Sequence, residues 1–552
     1  TSVLINCWGL VQNYLMEMDP NAETVLLEVS KEEINESSGM KEYSTPDGDI
    51  LLVEQAGNYF AIGAKCSHYG APLYKGALGN GKVRCPWHGA CFNIRTGDIE
   101  DYPGLDSLPK FNVTLTDDKI MVWGTKDLVK RRKRVRSIVM PIISLDKTVI
   151  IVGGGPAAET CLETLRFNGY QGRILLLTKE KHIPYDRPKL SKNMELPVCS
   201  LYLRNYQYYE DGQIELLLNR EVKAINFSEK LVYLGIGSTL SYTEIVLCTG
   251  SEPRKLSLPG DDYENIFYLR TPEDANKISS NASGKKVVII GSSFIGMETA
   301  SYLVNKASEV TVLCRADVPF AKTLGNVIGG RLMRLFEENG VKFKVGCKPV
   351  KFIGEDGRLT GIEIENEVLN CDMCVVGVGA TPATAFLEGS GIQMNENGFL
   401  EVDEYLSSNM ENVYACGDIA SFPLFFKENE KVSIGHFQMA QAHGRTAALS
   451  ILGKPQAIVS VPFFWTAFFG KSLRHAGYNV GHDSTIVHGS LEDLMFAVFY
   501  CIGESVVAIS TMNMDPLASQ FSELLLNRVI IKSSLVRDSL DHLKELYAQH
   551  VC

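Results

Sequence analysis

No uncharged apolar run in this 552-residue chain reaches the ~18 residues that a membrane-spanning helix needs. The nearest, residues 455–470, is short and is interrupted by Pro462, so a soluble protein is expected. An excess of positive charge is also lacking. Lys and Arg total 54 against 65 Asp and Glu, a net charge of −11, which argues against nucleic acid or an anionic membrane as the main partner. Cysteine, at fourteen residues, is too dilute for a disulfide scaffold. Four of the fourteen, Cys7, Cys66, Cys85 and Cys91, nevertheless fall in the first hundred residues, which asks for a metal reading. At one domain per roughly 100 to 200 residues, the length implies three or four packed units.

Residues 25–124 show short alternating apolar runs separated by Gly, Asp and Asn turns, the pattern of a small antiparallel β domain. The basic run 130–136 (KRRKRVR) has no apolar periodicity and reads as a solvated interdomain linker, with a nuclear import signal as the sharper alternative. Beyond it the texture becomes strand, glycine turn, helix, and does so twice, in TVIIVGGGPAAETCLETL and KKVVIIGSSFIGMETASYL. Two βαβ nucleotide folds are expected. From about residue 455 apolar strands alternate toward one closing amphipathic helix over 534–548, a separate α+β domain.

Cys66 and His68 form a CxH pair and, sixteen residues on, Cys85 and His88 form a CxxH pair. Zinc in a tetrahedral cage could use the same four ligands. Zinc fingers, however, place their His pair on a helix, and no helical pattern occurs here. Two loops that each offer one thiol and one imidazole let two thiolates hold one iron and two imidazoles the other, as in a [2Fe-2S] centre of mixed ligation. Cys91 falls off the pattern and reads as a buried small hydrophobe.

Gly153, Gly155 and Ala158 make a GxGxxA turn between an apolar strand and a helix, the arrangement that seats a pyrophosphate on a helix N-terminus. The next strand, RILLLTKE, ends at Glu180, a candidate for a ribose diol. The second turn keeps Gly291 and Gly296 but has Ser293 in place of the middle glycine, which crowds the phosphate approach. Its second strand ends TVLCRAD, with Cys314 where a carboxylate would favour NAD, and Arg315 next. An arginine there can take a 2′-phosphate, so NADPH and NADH both stay open, as does an exposed strand-end Arg with no ligand.

The stretch CSHYGAP…CPWHGACF, followed by DYPGLDSLPKF, resembles a Rieske domain over roughly 100 residues. Cytochrome-bc-type members add a disulfide between the two loops; the matching positions here are Ala71 and Trp87. The resemblance is therefore to the ferredoxin-like and oxygenase-like class, and implies a potential toward the low end of the Rieske range, about −150 mV. Residues 183–192 (IPYDRPKLSK), CTGSEPR and VYACGDIA resemble the FAD-binding elements of flavoprotein reductases, in the branch of apoptosis-inducing factors and bacterial ferredoxin reductases. The resemblance implies that Arg187 and Arg254 pair with FAD phosphates, that Lys192 sits by the flavin, and that Asp418 binds the ribityl chain. Thr249 and Gly250 then form the strand-end turn, and His436 and Trp465 line the flavin unless they are plain core. GxxFIGxE, with Gly377 and Gly379 of VVGVGA as its companion, resembles the nicotinamide-nucleotide fingerprint of the same proteins. Lys192 and Glu298 would be the catalytic pair, orienting the nicotinamide beside the flavin, unless each caps its own helix.

Members of this fold that relay electrons to a disulfide carry CxxxxC facing the flavin, whereas residues 156–200 hold only Cys161 and Cys199. Cys371 and Cys374 form CDMC in an apolar strand-like run and read as structural. The expected architecture is multidomain. It comprises an N-terminal segment 1–22, an all-β Rieske domain 23–126, a basic linker 127–146, and a Rossmann-like α/β FAD-binding domain 147–270 with 394–454. A Rossmann-like NAD(P)H-binding domain 271–393 and a C-terminal α+β domain 455–552 complete it. The expected function is an NAD(P)H-dependent FAD oxidoreductase that passes electrons through FAD to the Rieske [2Fe-2S] cluster. The acceptor beyond it, protein or small molecule, is open, and a link to apoptosis follows from the resemblance. The alternative is a redox-sensing signalling protein with slow turnover. An oxygenase component would need a mononuclear iron domain for which this fold has no room. A homodimer is also expected. The chain begins at Thr1, which leaves room for a targeting segment and for a mitochondrial or cytoplasmic address.

Overall fold

The computed structural model describes residues 24–35, 39–136, 138, 144–365 and 367–551. Cys7 lies outside the described residues. The chain divides into two compact units, residues 1–136 with 545–552, and residues 137–544.

The first unit is built on a six-stranded antiparallel sheet in which Thr24–Ser30, Lys119–Gly124, Lys110–Leu115, Asn58–Gly63, Gly48–Gln55 and Met40–Thr45 lie side by side. A smaller four-stranded sheet, Ala77–Gly79, Lys82–Arg84, Cys91–Asn93 and Ile99–Asp101, carries the second Cys/His loop between its middle strands. The basic run is exposed over residues 130–133, as expected of a solvated segment, but it is also tied to the β unit. A helix Lys126–Lys130 starts on Thr125, whose hydroxyl accepts from the Leu128 N–H. Arg134 then exchanges both backbone hydrogen bonds with Ser107. Its guanidinium reaches Asp98 at 2.6 Å, and Lys133 reaches Asp106 at 2.9 Å. Local carboxylates of the β unit thus hold the two cations Lys133 and Arg134 against it.

In the second unit two parallel five-stranded sheets repeat one plan. The first orders Ile214–Leu217, Gly172–Leu177, Ser144–Val152, Glu244–Leu247 and Val413–Ala415. The other orders Ile266–Tyr268, Met373–Val376, Lys286–Ile290, Glu309–Cys314 and Val341–Val345. In each, the strand before the glycine turn is central, the next two strands of the sheet in chain order lie on one side of it and a later strand pairs on its other side, which opens a crevice at the carboxyl ends of the strands. A third, antiparallel sheet orders Phe463–Phe468, Lys471–Gly477, Ser505–Met512, Met495–Ile502 and Ser484–Ser490, with the helix Leu517–Leu526 following it in the chain. The single closing helix expected over 534–548 is two, Ser533–Asp538 and Asp541–His550. Ser539 breaks it in an extended conformation, and its hydroxyl accepts from the Asp541 N–H. Cys371 and Cys374 are buried, and burial pushes the Cys371 thiol up to about 12 and Cys374 well above its usual value. Neither is disposed to act as a thiolate.

Candidate functional site: a paired Cys/His centre and a dinucleotide cleft

The two Cys/His loops have the same backbone. Cys66 N–H donates to Ala71 O and Gly70 N–H to Cys66 O; Cys85 N–H donates to Ala90 O and Gly89 N–H to Cys85 O. Each loop thus closes on itself and points its Cys and His the same way. The second is braced by Arg84, 1 % exposed, which donates to Gly89 O at 2.7 Å and pairs with Asp101 at 3.0 Å. The first is tied to the proline-containing segment by Ser67 Oγ, which donates to Asp106 O at 2.6 Å. Gly104 of that segment lies over His68, where a Cβ would come within 3.7 Å of the His68 Cβ. Neither brace was legible in the sequence, where an Arg before a Cys and a Ser after one look like surface residues.

The side chains stand as two pairs. The Cys66 and Cys85 thiols are buried and hydrogen-bonded to each other, and burial followed by the neighbouring Cys85 pushes the Cys66 thiol well above its usual value. His68 Nδ1 and His88 Nδ1 face each other at 3.1 Å, with the Tyr69 ring stacked on His68 at 3.8 Å. Among the described residues no three His, Cys, Asp or Glu side chains converge tightly enough for one mononuclear ion. Two buried thiols held together need a cation to become thiolates, and two imidazoles with facing Nδ1 atoms can share another. The donor set fits a [2Fe-2S] centre ligated by two Cys and two His.

In the second unit both glycine turns are built alike. Gly153 has φ +118°, and a Cβ there would fall 2.1 Å from Cys248 O. Gly291 has φ +113°, and its Cβ would fall 2.2 Å from Gly377 O. Each turn must pass under the end of the neighbouring strand, so only glycine fits. Helices Pro156–Phe167 and Phe294–Leu303 follow. Ala158 is fully buried under the first, and a Cβ on Gly296 in the second would meet Gly291 O at 2.0 Å. Gly155 and Ser293 open the helices in the same extended conformation, φ −98° and −103°, so the backbone accepts Ser293 without strain.

A cleft of about 1100 Å³ runs from the first turn to the third sheet. Of the predicted residues, Gly153, Gly155, Glu180, Arg187, Lys192, Thr249, Glu298, Asp418, His436 and Trp465 line it. Burial disfavours the Glu180 carboxylate, but Arg187 at 2.8 Å and the Tyr185 hydroxyl outweigh this and hold it below the usual range. Asp418 accepts the Ser251 hydroxyl at 2.7 Å. Lys192 Nζ meets Glu298 Oε1 at 2.9 Å, so the two are partners rather than separate helix caps. His436 is half-buried in the cleft wall, and desolvation lowers it to about 4, so the imidazole is neutral. Its Nδ1 has no hydrogen-bond partner among the described residues.

The other predicted residues stand elsewhere. Arg254 is exposed and only its main chain is engaged, donating to Gly379 O at 3.0 Å. The guanidinium that stands beside Arg187 in the cleft is instead Arg270, which sequence reasoning missed. Burial and then the adjacent Arg187 lower its pKa, and Asp418 is 4.0 Å away. Two half-buried guanidinium groups side by side near a glycine turn, together with the unpartnered His436 nitrogen, fit the phosphates and ring of FAD. Gly250 lies under Arg270, with a Cβ position 2.9 Å from Arg270 Nη2. Gly291, Gly296, Arg315, Gly377 and Gly379 do not line this cleft and gather about the strand ends of the second nucleotide fold. Two more residues were missed: Ser191 Oγ and Thr466 Oγ1 both donate to the Glu298 carboxylate, Thr466 at 2.7 Å. A hydroxyl inside the apolar run FFWTAFF was the one available signal.

Two dinucleotide folds around a flavin-sized cleft, with a paired Cys/His centre in a separate unit, define an NAD(P)H-dependent flavoprotein oxidoreductase that carries a Rieske centre. Comparison with known proteins agrees. Residues 147–444 match the pyridine nucleotide-disulphide oxidoreductase family, residues 25–112 the Rieske [2Fe-2S] domain, and residues 463–547 the reductase C-terminal domain. The chain is 44 % identical over 496 residues to apoptosis-inducing factor 3 of Homo sapiens, covering 89 % of this chain and 82 % of that one. It is 32 % identical over 371 residues to rhodocoxin reductase of Rhodococcus erythropolis, covering 66 % and 86 %. The putidaredoxin reductase–putidaredoxin complex superposes with a TM-score of 0.70 at 29 % identity, covering 74 % of this chain and 99 % of that one. The chain belongs to the apoptosis-inducing factor 3-like flavoproteins, in which a Rieske [2Fe-2S] domain is joined to a pyridine nucleotide-disulphide oxidoreductase fold. Its cofactors are FAD, NAD(P)H and a [2Fe-2S] cluster.

Proposed function

We propose that this oxidoreductase turns the two-electron donor NAD(P)H into single-electron output at the Rieske centre and passes it to a ferredoxin-like protein or a small-molecule acceptor. Bound FAD supplies hydride acceptance and stepwise electron release, and the cluster carries one electron at a time. The observation that carries the reading is the Lys192–Glu298 pair inside the cleft, with the Glu298 carboxylate buried. In this reading Lys192 presents its ammonium to the flavin while Glu298 orients the nicotinamide. Arg187 and Arg270 hold the pyrophosphate, Glu180 a ribose and Asp418 the ribityl chain. His436 and Trp465 wall the flavin from water. Cys66 and Cys85 ligate one iron and His68 and His88 the other. The unit boundaries expected from the sequence belong to the same proposal.

A link to apoptosis rests on the name of the human relative, and a mitochondrial or cytoplasmic address and a homodimer rest on the resemblance alone. No helix among the described residues is long and apolar enough to cross a membrane. Anaerobic titration with NAD(P)H, followed by visible absorbance and EPR, tests the central claim. Flavin bleaching followed by a Rieske signal, with the signal lost in Cys66→Ser and the bleaching kept, is the expected outcome. Bleaching with no cluster signal in the intact protein would remove the cluster from the path.

A further inference from the structure

The second nucleotide fold departs from an NAD site at the one position that reads the adenosine ribose. In such folds a carboxylate at the end of the second strand accepts the ribose hydroxyls, whereas a nearby arginine accommodates a 2′-phosphate. Here the strand Glu309–Cys314 ends in a thiol. Cys314 is fully buried, and its sulfur already accepts the hydroxyl of Ser292, from the glycine turn itself, at 2.9 Å. A sulfur is a weak acceptor, and one already occupied in this way does not replace a carboxylate in holding a ribose diol. The next residue, Arg315, is exposed and forms no ion pair among the described residues. In the flavin-sized cleft of the same unit, by contrast, Arg187 pairs with Glu180 and Lys192 with Glu298.

We infer that this chain prefers NADPH over NADH, with Arg315 as the cation that binds the 2′-phosphate and the Ser292–Cys314 contact closing the place of the ribose carboxylate. The inference rests on the proposed function, because it assigns a coenzyme to the nucleotide domain of that reading. The physical basis is asymmetry of cost. A 2′-phosphate beside an exposed guanidinium with no ion-pair partner among the described residues gains a charge-assisted contact, while a ribose diol in the same place finds a cysteine where a carboxylate would accept its protons. The one carboxylate nearby in sequence, Asp317, is exposed and three residues past the strand end. It is the rival ribose ligand.

Calorimetry on the purified holoprotein with 2′-phospho-ADP-ribose and with ADP-ribose, neither of which can donate hydride, separates binding from turnover. The expected result is about tenfold or greater preference for the phosphorylated ligand, matched by the ratio of kcat/KM for NADPH and NADH. Because Arg315 is exposed, Arg315→Leu leaves the fold intact. It is expected to weaken 2′-phospho-ADP-ribose about tenfold and to leave ADP-ribose within about twofold. Equal or tighter binding of ADP-ribose, indifference of the phosphorylated ligand to Arg315→Leu, or loss of ADP-ribose binding in Asp317→Asn would each overturn the preference while leaving the oxidoreductase reading standing. Failure of both ligands to bind would overturn the nucleotide site itself and this inference with it.

Discussion

Thr466, on the first strand of the third sheet, donates its hydroxyl to Glu298 on the second nucleotide helix at 2.7 Å. The two residues are 168 positions apart, and the bond joins the third sheet to the dinucleotide machinery. With Ser191 and Lys192 it gives the 5 %-exposed Glu298 carboxylate three donors. A buried charge keeps its geometry only while its acceptor sites are filled, and each donor to an ion is worth about 1.5–3 kcal/mol. Thr466→Val is therefore expected to slow flavin bleaching by NAD(P)H about tenfold or more at unchanged FAD content, and Thr466→Ser to restore most of it. Stopped-flow absorbance measures this; equal rates in Thr466→Val would remove Thr466 from the site.

The placement of Arg270 rather than Arg254 in the cleft separates two variants that look equivalent in the sequence. Arg270→Ala is expected to weaken FAD retention by roughly 2 kcal/mol, the scale of a hydrogen bond to a charged group. Arg254→Ala, whose side chain is exposed, should stay within about 0.5 kcal/mol. Flavin released on dilution reads both.

Neighbouring glycines in the first turn fail in different ways. A Cβ on Gly153 meets Cys248 O at 2.1 Å at positive φ, whereas a Cβ on Gly155 meets nothing within 4 Å. Gly153→Ala should lower the stability of the unit by at least about 1–3 kcal/mol, from the backbone conformation alone. Gly155→Ala should melt at the wild-type temperature yet bind FAD less tightly, because its methyl enters the space of the ligand. Thermal melts with and without added FAD separate the two.

His475 is fully buried with its Nδ1 2.9 Å from Ser510 Oγ, and burial lowers it to about 3. A histidine kept neutral in the folded state binds its proton only on unfolding. Its contribution is complete above the unfolded value near 6.5 and is lost as pH falls from there toward about 3. Around pH 5 the wild-type stability should fall with pH about 1.4 kcal/mol per unit more steeply than that of His475→Gln, the slope of one proton. Urea midpoints between pH 4.5 and 6.5 measure the difference; parallel slopes would mean that His475 is already charged when folded.

Much of this protein was legible in its sequence because the chemistry sits in short local patterns. The CxH and CxxH pairs, the two glycine turns and the alternating β texture each need only a few neighbouring residues to make sense, since turns and period-2 alternation are local constraints. The ion pairs of the basic run were not legible because its partners, Asp98 and Asp106, lie more than twenty residues away in the chain. The closing helix was misjudged because Ser539 breaks a periodic pattern that otherwise continues.

By itself the sequence determined which groups are present: two thiols and two imidazoles at fixed spacing, two phosphate turns, and a strand end that has Cys314 instead of a carboxylate. Only the tertiary structure decided which distant groups share a site. It chose Arg270 over Arg254, brought Thr466 and Ser191 to Glu298, and gave the Cys314 sulfur to Ser292. The reason is that a buried charge or lone pair is satisfied by whichever donor packing delivers to it, and packing between elements more than a hundred residues apart follows no spacing that a linear pattern can carry.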